Sequence, residues 1–320
     1  MKPVRVGVVG VGYLGAFHVQ KYAALSGVEL IGIADINTGR AQQISAQYQV
    51  PAFTDYHDLF GKVDAVSVVV PTSLHHAIAR DFLAHGIDVL VEKPITVTIE
   101  EADELIALAR RERRILQVGH LERFNPALCA LKGIVQNPLF IETHRLAPFK
   151  DRGTDVDVIL DIMIHDIDII LSLVNAPIRT MHAVGVPVVS PGKNDIANVR
   201  FEFATGCVAN VTASRISVKE MRKLRIFQQD AYLSIDFAAQ HADVYRRFDA
   251  GDAYDTPQIM YDPVTITPGD ALEQEIASFV AAVRGRSEPV VTGEAGRAAL
   301  KVALDIVAQI ETKKAALQLG

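Results

Sequence analysis

The sequence predicts a two-domain α/β protein: an N-terminal doubly wound parallel sheet with helices on both faces, then an α+β domain built on an open, largely antiparallel sheet. Three observations carry this. An apolar, β-branched run, Val4–Val9, leads through closely spaced glycines into a helical stretch. Strand-like and helix-like segments then alternate to about residue 120. From about Met181 the chain becomes strand-rich. A chain of 320 residues exceeds what one hydrophobic core usually fills, so the domains are placed at 1–120 and 121–320, with the last helix able to return toward the first domain.

The composition, 49% hydrophobic and 22% charged, is that of a globular chain with a core in each half. A formal net charge of −6 argues against nucleic acid as a partner, since binding it needs a basic face. Lys2 and Arg5 precede an apolar run, as in an export signal. Gly7, Gly10, Gly12 and Gly15 would break the apolar helix that such a signal needs, and no apolar run is long enough to span a bilayer. Cys129 and Cys207 are the only cysteines and lie far apart, so neither a disulfide framework nor a cysteine-rich metal pattern is expected; a reducing, cytoplasmic setting is.

The first element sets the chemistry. Gly10-Val11-Gly12-Tyr13-Leu14-Gly15 follows the strand and opens a helix over residues 14–25. In that setting Gly10 permits a tight turn, Gly12 lets backbone approach a pyrophosphate, and Gly15 lets helix and strand pack closely. Tyr13 and Leu14 begin the helix whose N-terminus receives the anion. The next run, Val28–Ala34, ends in Asp35, 20 residues after Gly15, the spacing at which a carboxylate meets the adenosine ribose. This is a Rossmann signature. Asp35 would accept from a free 2′-hydroxyl and repel a 2′-phosphate, so NAD is expected over NADP; Arg40 either softens that preference, being close in sequence, or, inside the following helix, merely flanks the adenine.

Further along, residues 65–70, 88–91 and 115–118 read as buried strands. Ser73 is expected to cap a helix over 74–84, and Thr98-Ile99-Glu100-Glu101 is a capping box for a helix running to about 112. Ligands of such sheets bind beyond the carboxyl ends of the strands, which selects Pro71, Thr72, His75, Glu92, Lys93 and Pro94 as cofactor neighbours. Lys93 at that edge suits an acid, a base or a substrate orienter. A solvated loop lysine before a proline turn is the plainer alternative.

In the second half, residues 198–203 and 207–214 read as a hairpin through Thr205-Gly206, 224–227 and 232–237 as further strands, and 271–285 and 294–316 as helices. An open sheet has one face for helices and another suited to a subunit interface, so a homodimer or homotetramer through it is expected. Between the halves a helix over 157–174 is apolar almost all round, hence buried. Against that background Asp161, His165 and Asp168 recur at i, i+4 and i+7 and are expected to line an internal cleft. His165 is suited to remove an alcohol proton as hydride leaves carbon, with Asp161 orienting it. A divalent metal shared by Asp161 and His165 is the competing chemistry, ranked second, and no metal is expected. The span 120–152, with His120, Arg123, His144, Arg145, Lys150 and Arg152, is locally basic; it suits a phosphorylated or nucleotide-linked substrate and, equally, ion-paired surface.

Together these residues resemble the glucose–fructose oxidoreductase/inositol dehydrogenase/rhizopine-catabolism family over essentially the whole chain. The likeness rests on the glycine turn followed by His18, on Glu92-Lys93-Pro94, and on Asp161 and His165 four apart. It implies that Lys93, Asp161 and His165 surround nicotinamide C4 and the reacting hydroxyl as the catalytic group, with Lys93 or His165 as the base, and that the peptide before Pro94 is often cis. The chain departs from the family at Val156-Asp157, where members often carry two glycines. The segments 119–126, 142–149 and 160–168 are similar to bacterial members that oxidise the 3-hydroxyl of UDP-N-acetylglucosamine with NAD. Those members pass the 3-keto sugar to a PLP aminotransferase on a route to amide-linked lipid A. The likeness implies a nucleotide-sugar substrate held among His120, Arg123, Asn125, His144, Arg145, Asp161 and His165. Three other readings share these residues: oxidation of an inositol, free hexose or other nucleotide sugar; an NAD-dependent glycosidase with internal redox; and a non-catalytic NAD-binding regulator. Against the last stands the joint presence of Lys93, Asp161 and His165.

Overall fold

In the computed structural model, which describes residues 2–149, 156–248 and 258–316, the first sheet consists of six parallel strands. They are β1 (Val4–Val9), β2 (Val28–Ala34), β3 (Ala52–Phe53), β4 (Ala65–Val68), β5 (Asp88–Glu92) and β6 (Leu116–Gly119), in the order β3-β2-β1-β4-β5-β6. The order reverses between β1 and β4, and a switch point of this kind opens a crevice at the carboxyl ends of the strands. β4 and β5 are buried at every residue, as strands covered on both faces must be. Helices α1 (Tyr13–Ala24), α2 (Thr38–Tyr48), α3 (His75–Ala84) and α4 (Ile99–Arg111) connect them.

The capping box forms: Thr98 Oγ1 accepts from Glu101 N at 3.2 Å and the Glu101 carboxylate accepts from Thr98 N at 3.1 Å. The expected Ser73 cap does not. Thr72–Leu74 make a short 3-10 turn that closes Leu74 N on the Pro71 carbonyl, and α3 starts at His75 with no side-chain cap.

The chain divides into two units, Met1–Leu121 with Asp270–Leu300, and Glu122–Gly269 with Lys301–Gly320. The division expected from sequence is therefore adjusted, because α7 (Ala271–Gly285) and the start of α8 (Gly293–Ala316) belong to the first unit. The reason is packing: Leu272, Ile276, Phe279, Val280 and Val283 of α7 share one core with Val4, Val6 and Val8 of β1 and Val19 and Tyr22 of α1.

The second unit carries an eight-stranded sheet of β7 (Phe140–Leu146), β8 (Ile178–Val186), β9 (Ile196–Phe203), β10 (Val208–Ser214), β11 (Met221–Phe227), β12 (Ala231–Asp236), β13 (His241–Phe248) and β14 (Gln258–Asp262). Their order is β14-β13-β12-β11-β7-β10-β9-β8, antiparallel at every step except β7 against β10. α6 (Ile164–Val174), entered through a π-helical turn over Ile159–Met163, packs on β7 and β10. Burial alternates along β7: Ile141, Thr143 and Arg145 are buried, whereas Phe140, Glu142 and His144 stay partly exposed. On that outer face five aromatic side chains sit directly opposite one another on adjacent strands, Phe140, Phe227, Tyr232, Tyr245 and Tyr261, with ring centroids 5.6, 4.9, 5.9 and 5.5 Å apart. The C-terminal turns of α8 meet β8: Gln309 donates to the Met181 carbonyl at 2.9 Å and accepts from Ala183 N at 2.5 Å, while Lys313 donates to the Ala183 carbonyl at 3.0 Å. Among the described residues no helix is long and apolar enough to cross a membrane.

Candidate active site

The glycine loop has the shape a dinucleotide requires. Gly10 adopts φ +84°, and a Cβ there would lie 2.3 Å from the Val69 carbonyl; at Gly15 it would lie 1.9 Å from the Gly10 carbonyl. Both positions exclude a side chain. Gly12, by contrast, faces open space, with nothing within 4 Å of an added Cβ, which leaves its backbone approachable by a pyrophosphate. No acidic residue stands in the first turn of α1, so the helix N-terminus keeps its positive field for an anion. Asp35 at the end of β2 accepts from Val11 N and from Asn37 N, each at 2.8 Å, and so ties two loops at one corner. Arg40 donates through Nε to the Val11 carbonyl at 2.8 Å and through Nη2 to the Gly12 carbonyl at 3.3 Å. Arg40 thus braces the glycine loop. These residues fit NAD.

The Lys93 loop leaves the carboxyl end of β5, and the Lys93–Pro94 peptide is cis. Glu92 and His75 hold it. Glu92 accepts from Lys93 N and stands against His18 Nε2, each at 3.2 Å, while His75 Nδ1 lies 2.9 Å from the Pro94 carbonyl and its Nε2 2.9 Å from the Val70 carbonyl. Burial is the largest influence on the imidazole of His75 and holds its pKa below the ordinary value, despite those carbonyls. Burial also pushes Glu92 up, but the His18 contact and the charges of His18 and Lys93 outweigh it, so the carboxyl stays below its usual range. His120 is buried just beyond β6, and Pro71 and Thr72 follow the end of β4.

In the second unit, Asp161 lies in the π-helical turn and His165 in the first turn of α6; both are partly exposed. Of the predicted stripe, Asp168 behaves differently. It is 2% exposed and accepts from Arg123 Nε at 2.6 Å and Nη2 at 3.0 Å. Asp166, also 2% exposed, accepts from Arg145 Nη2 at 2.7 Å, and Arg145 Nη1 reaches Glu122 at 2.8 Å. Burial would favour loss of the Arg145 proton, but the charges of Asp166 and Glu122 prevail and its pKa is raised.

Of the basic span, Arg123 and Arg145 are ion-paired inside the second unit, in line with the ion-paired alternative of the two readings. His144 alternates with Arg145 on β7, opposite Thr212 and Lys223 in register, and so lies on the sheet face away from α6 and His165. Asn125 caps α5 (Pro126–Ala130), accepting from Ala127 N at 3.1 Å, and donates to the Phe237 carbonyl at 3.1 Å, a structural assignment. Lys150 and Arg152 lie outside the described residues. Among the described residues no group of three or more His, Cys, Asp and Glu is arranged to hold a metal ion.

Sequence reading missed the residues that anchor the turn carrying Asp161. Asp157 Oδ1 caps Ile159 N at 3.0 Å, and its Oδ2 accepts from Asn194 N at 3.2 Å and Nδ2 at 2.7 Å. Beside it, burial pushes Asp195 up, but donors from Ser190, Val189 and Val188 more than offset this and bring its pKa to about 2. Asn194-Asp195, at the end of a segment rich in small residues, was the available signal.

A glycine loop on a doubly wound sheet, an acidic residue closing β2, and a lysine at the ligand edge define an NAD-linked oxidoreductase. The chain belongs to the oxidoreductase family with an NAD-binding Rossmann fold (GFO/IDH/MocA), whose model matches residues 4–120, with the GFO/IDH/MocA C-terminal domain over 138–234. It is 41% identical over 309 residues to UDP-N-acetylglucosamine 3-dehydrogenase of Acidithiobacillus ferrooxidans, covering 96% of this chain and 97% of that one. A solved structure of that enzyme superposes with TM-score 0.90 at 39% identity, covering 98% and 99% of the two chains. Inositol 2-dehydrogenase of Salmonella typhimurium is 30% identical over 190 residues, 56% of each chain. Levoglucosan dehydrogenase in complex with NADH shares the fold, with TM-score 0.86 at 18% identity over 97% of each chain.

Proposed function

We propose that this chain oxidises the 3-hydroxyl of UDP-N-acetylglucosamine to the 3-keto nucleotide sugar, using NAD. The observation that carries the reading is near-full-length identity of 41% to a UDP-N-acetylglucosamine 3-dehydrogenase, in a chain that carries Lys93, Asp161 and His165. When bound, NAD supplies the acceptor for the hydride that leaves C3. The side chains do the rest. His165 takes the proton from the sugar 3-oxygen, Asp161 fixes the imidazole, and the Lys93 ammonium orients that oxygen. Gly10, Gly12, Tyr13, Leu14, Gly15 and Asp35 hold the adenosine and pyrophosphate end, while Pro71, Thr72, His75, Glu92 and Pro94 shape the nicotinamide end. His120 serves the substrate.

The product is a ketone adjacent to an amide-bearing carbon, a substrate suited to a PLP aminotransferase, and we assign the pair to amino-sugar synthesis for lipid A. A cytoplasmic setting is supported by two cysteines that are both unpaired. The aromatic row on the outer sheet face supports a homo-oligomer, dimer or tetramer, assembled through that face of the second unit.

The test is NADH absorbance on mixing the protein with NAD and UDP-N-acetylglucosamine, in parallel with free N-acetylglucosamine, myo-inositol and glucose, a coupled aminotransferase removing the ketone. Reduction confined to the UDP-sugar is expected. Reduction with a free polyol alone would overturn the substrate assignment and leave the redox class standing.

A further inference from the structure

Glu275 of α7 is fully buried, and neither of its carboxyl oxygens has a hydrogen-bond partner. It stands in the core of the first unit, where Gln117 of β6 donates to its backbone carbonyl at 3.3 Å. Tyr22 of α1, whose buried hydroxyl lies 2.8 Å from Ser67, belongs to the same core. Glu92 and Glu275, two buried carboxyls that repel each other, cannot both ionise without balancing charge.

Glu92 has that balance and Glu275 does not. His18 of α1, itself fully buried, stands 3.2 Å from Glu92, whose carboxylate also accepts from Lys93 N, and the Lys93 ammonium follows in the chain. His75 also acts on Glu92, and its burial disfavours its cationic form. Gly119 on β6 makes room for the arrangement, since a Cβ there would lie 2.8 Å from Glu92 Oε1. The carboxylate thus occupies a slot at the ends of β5 and β6. Burial first, and the charge of Glu92 second, drive the Glu275 carboxyl well above its ordinary value.

We propose that Glu92 and Glu275 share a single negative charge, Glu92 ionised and Glu275 carrying the proton, and that Glu92 is thereby a positioning residue for Lys93. The second half of this rests on the reading of Lys93 as a catalytic residue; the first half does not. Holding one carboxylate in place, not two, keeps the charge behind the Lys93 loop fixed while the ammonium meets substrate.

The charge state is tested by the infrared spectrum of the full chain in D2O near neutral pH. A protonated-carboxyl C=O band is expected, lost in Glu275→Gln and kept in Glu92→Gln. Stability supplies a second readout. The unfolded Glu275 carboxyl ionises from about 4.5 upward while the folded one keeps its proton, so the wild type loses stability as pH rises above that value. Glu275→Gln should melt at least about 2 °C above wild type at pH 8, the gap closing toward pH 4.5. If that variant fails to fold, Glu275→Leu takes its place in both measurements. Positioning is read from kinetics: Glu92→Gln should lower kcat about tenfold or more, a fall larger than its loss of NAD affinity, and Glu92→Asp should recover part of the loss. A missing band, or one that survives Glu275→Gln, overturns the shared charge. Full turnover in Glu92→Gln overturns the positioning role. Normal turnover in Lys93→Ala removes Lys93 from catalysis while leaving the infrared and stability outcomes intact.

Discussion

Asp157 grips Asn194 through both its main-chain N–H and its side-chain amide while capping the turn that carries Asp161. The aspartate replaces the flexible glycine expected of the family at this point with a buried anchor. Asp157→Ala should leave NAD affinity unchanged and lower kcat about tenfold or more, because it unpins the turn that carries Asp161. Stopped-flow turnover alongside fluorescence titration of NADH checks both halves.

His165→Ala should reduce kcat by about 10²–10⁴ while the affinity for the UDP-sugar changes only a few-fold. Asp161→Asn should show a smaller fall and a shifted pH profile. Equal turnover of His165→Ala and wild type would remove the imidazole from the reaction.

Asp35→Ser should weaken NAD by about 10- to 100-fold and narrow the preference for NAD over NADP, since the carboxylate that would repel a 2′-phosphate is gone. The ratio of kcat/KM for the two cofactors is the measurement.

Arg145→Met should destabilise the protein by about 3–5 kcal/mol in urea unfolding, because Asp166 is left buried and unpaired. Arg145→Met combined with Asp166→Asn should recover much of that loss. An additive double variant would show that the two residues do not interact.

Asp195 makes a pH-dependent contribution with a defined sign. Its pKa falls from 3.8 unfolded to about 2 folded, so its stabilisation is complete above the unfolded value and is lost as pH drops from 3.8 toward 2. Wild type should therefore lose about 2 kcal/mol more than Asp195→Asn across that window, seen as a steeper fall in Tm with acid.

The parallel sheet was legible because its strands are unbroken apolar runs and its turns carry obligatory glycines; the spans of β1 and β2 were read to the residue. β7 was not, although it lies at the centre of the second sheet. Its inward positions include Thr143 and Arg145, so the usual apolar alternation is disguised, and the partners that make Arg145 burial tolerable are 21 and 23 residues away. The same blindness to distant partners let Asp168 stand beside Asp161 and His165, when Arg123, 45 residues earlier, already holds it. Glu275 was hidden for the opposite reason, a charged residue in an exposed-looking helix whose burial depends on what α7 packs against.

A tyrosine-to-arginine exchange at both Tyr232 and Tyr245 should break the outer-face assembly, lowering the mass seen by sedimentation to that of one chain while leaving the circular dichroism unchanged. Unaltered mass would move the interface elsewhere.

The side chain of Gln309 answers the free backbone of β8 as a neighbouring strand would, presenting one acceptor to Ala183 and one donor to Met181. A helix thus ends the sheet where a ninth strand would otherwise add on. Cutting the chain before residue 305 would leave that border unsealed, turning β8 into a template on which a second molecule could extend the ladder, so truncated protein should precipitate from solution while its Rossmann unit still retains NADH.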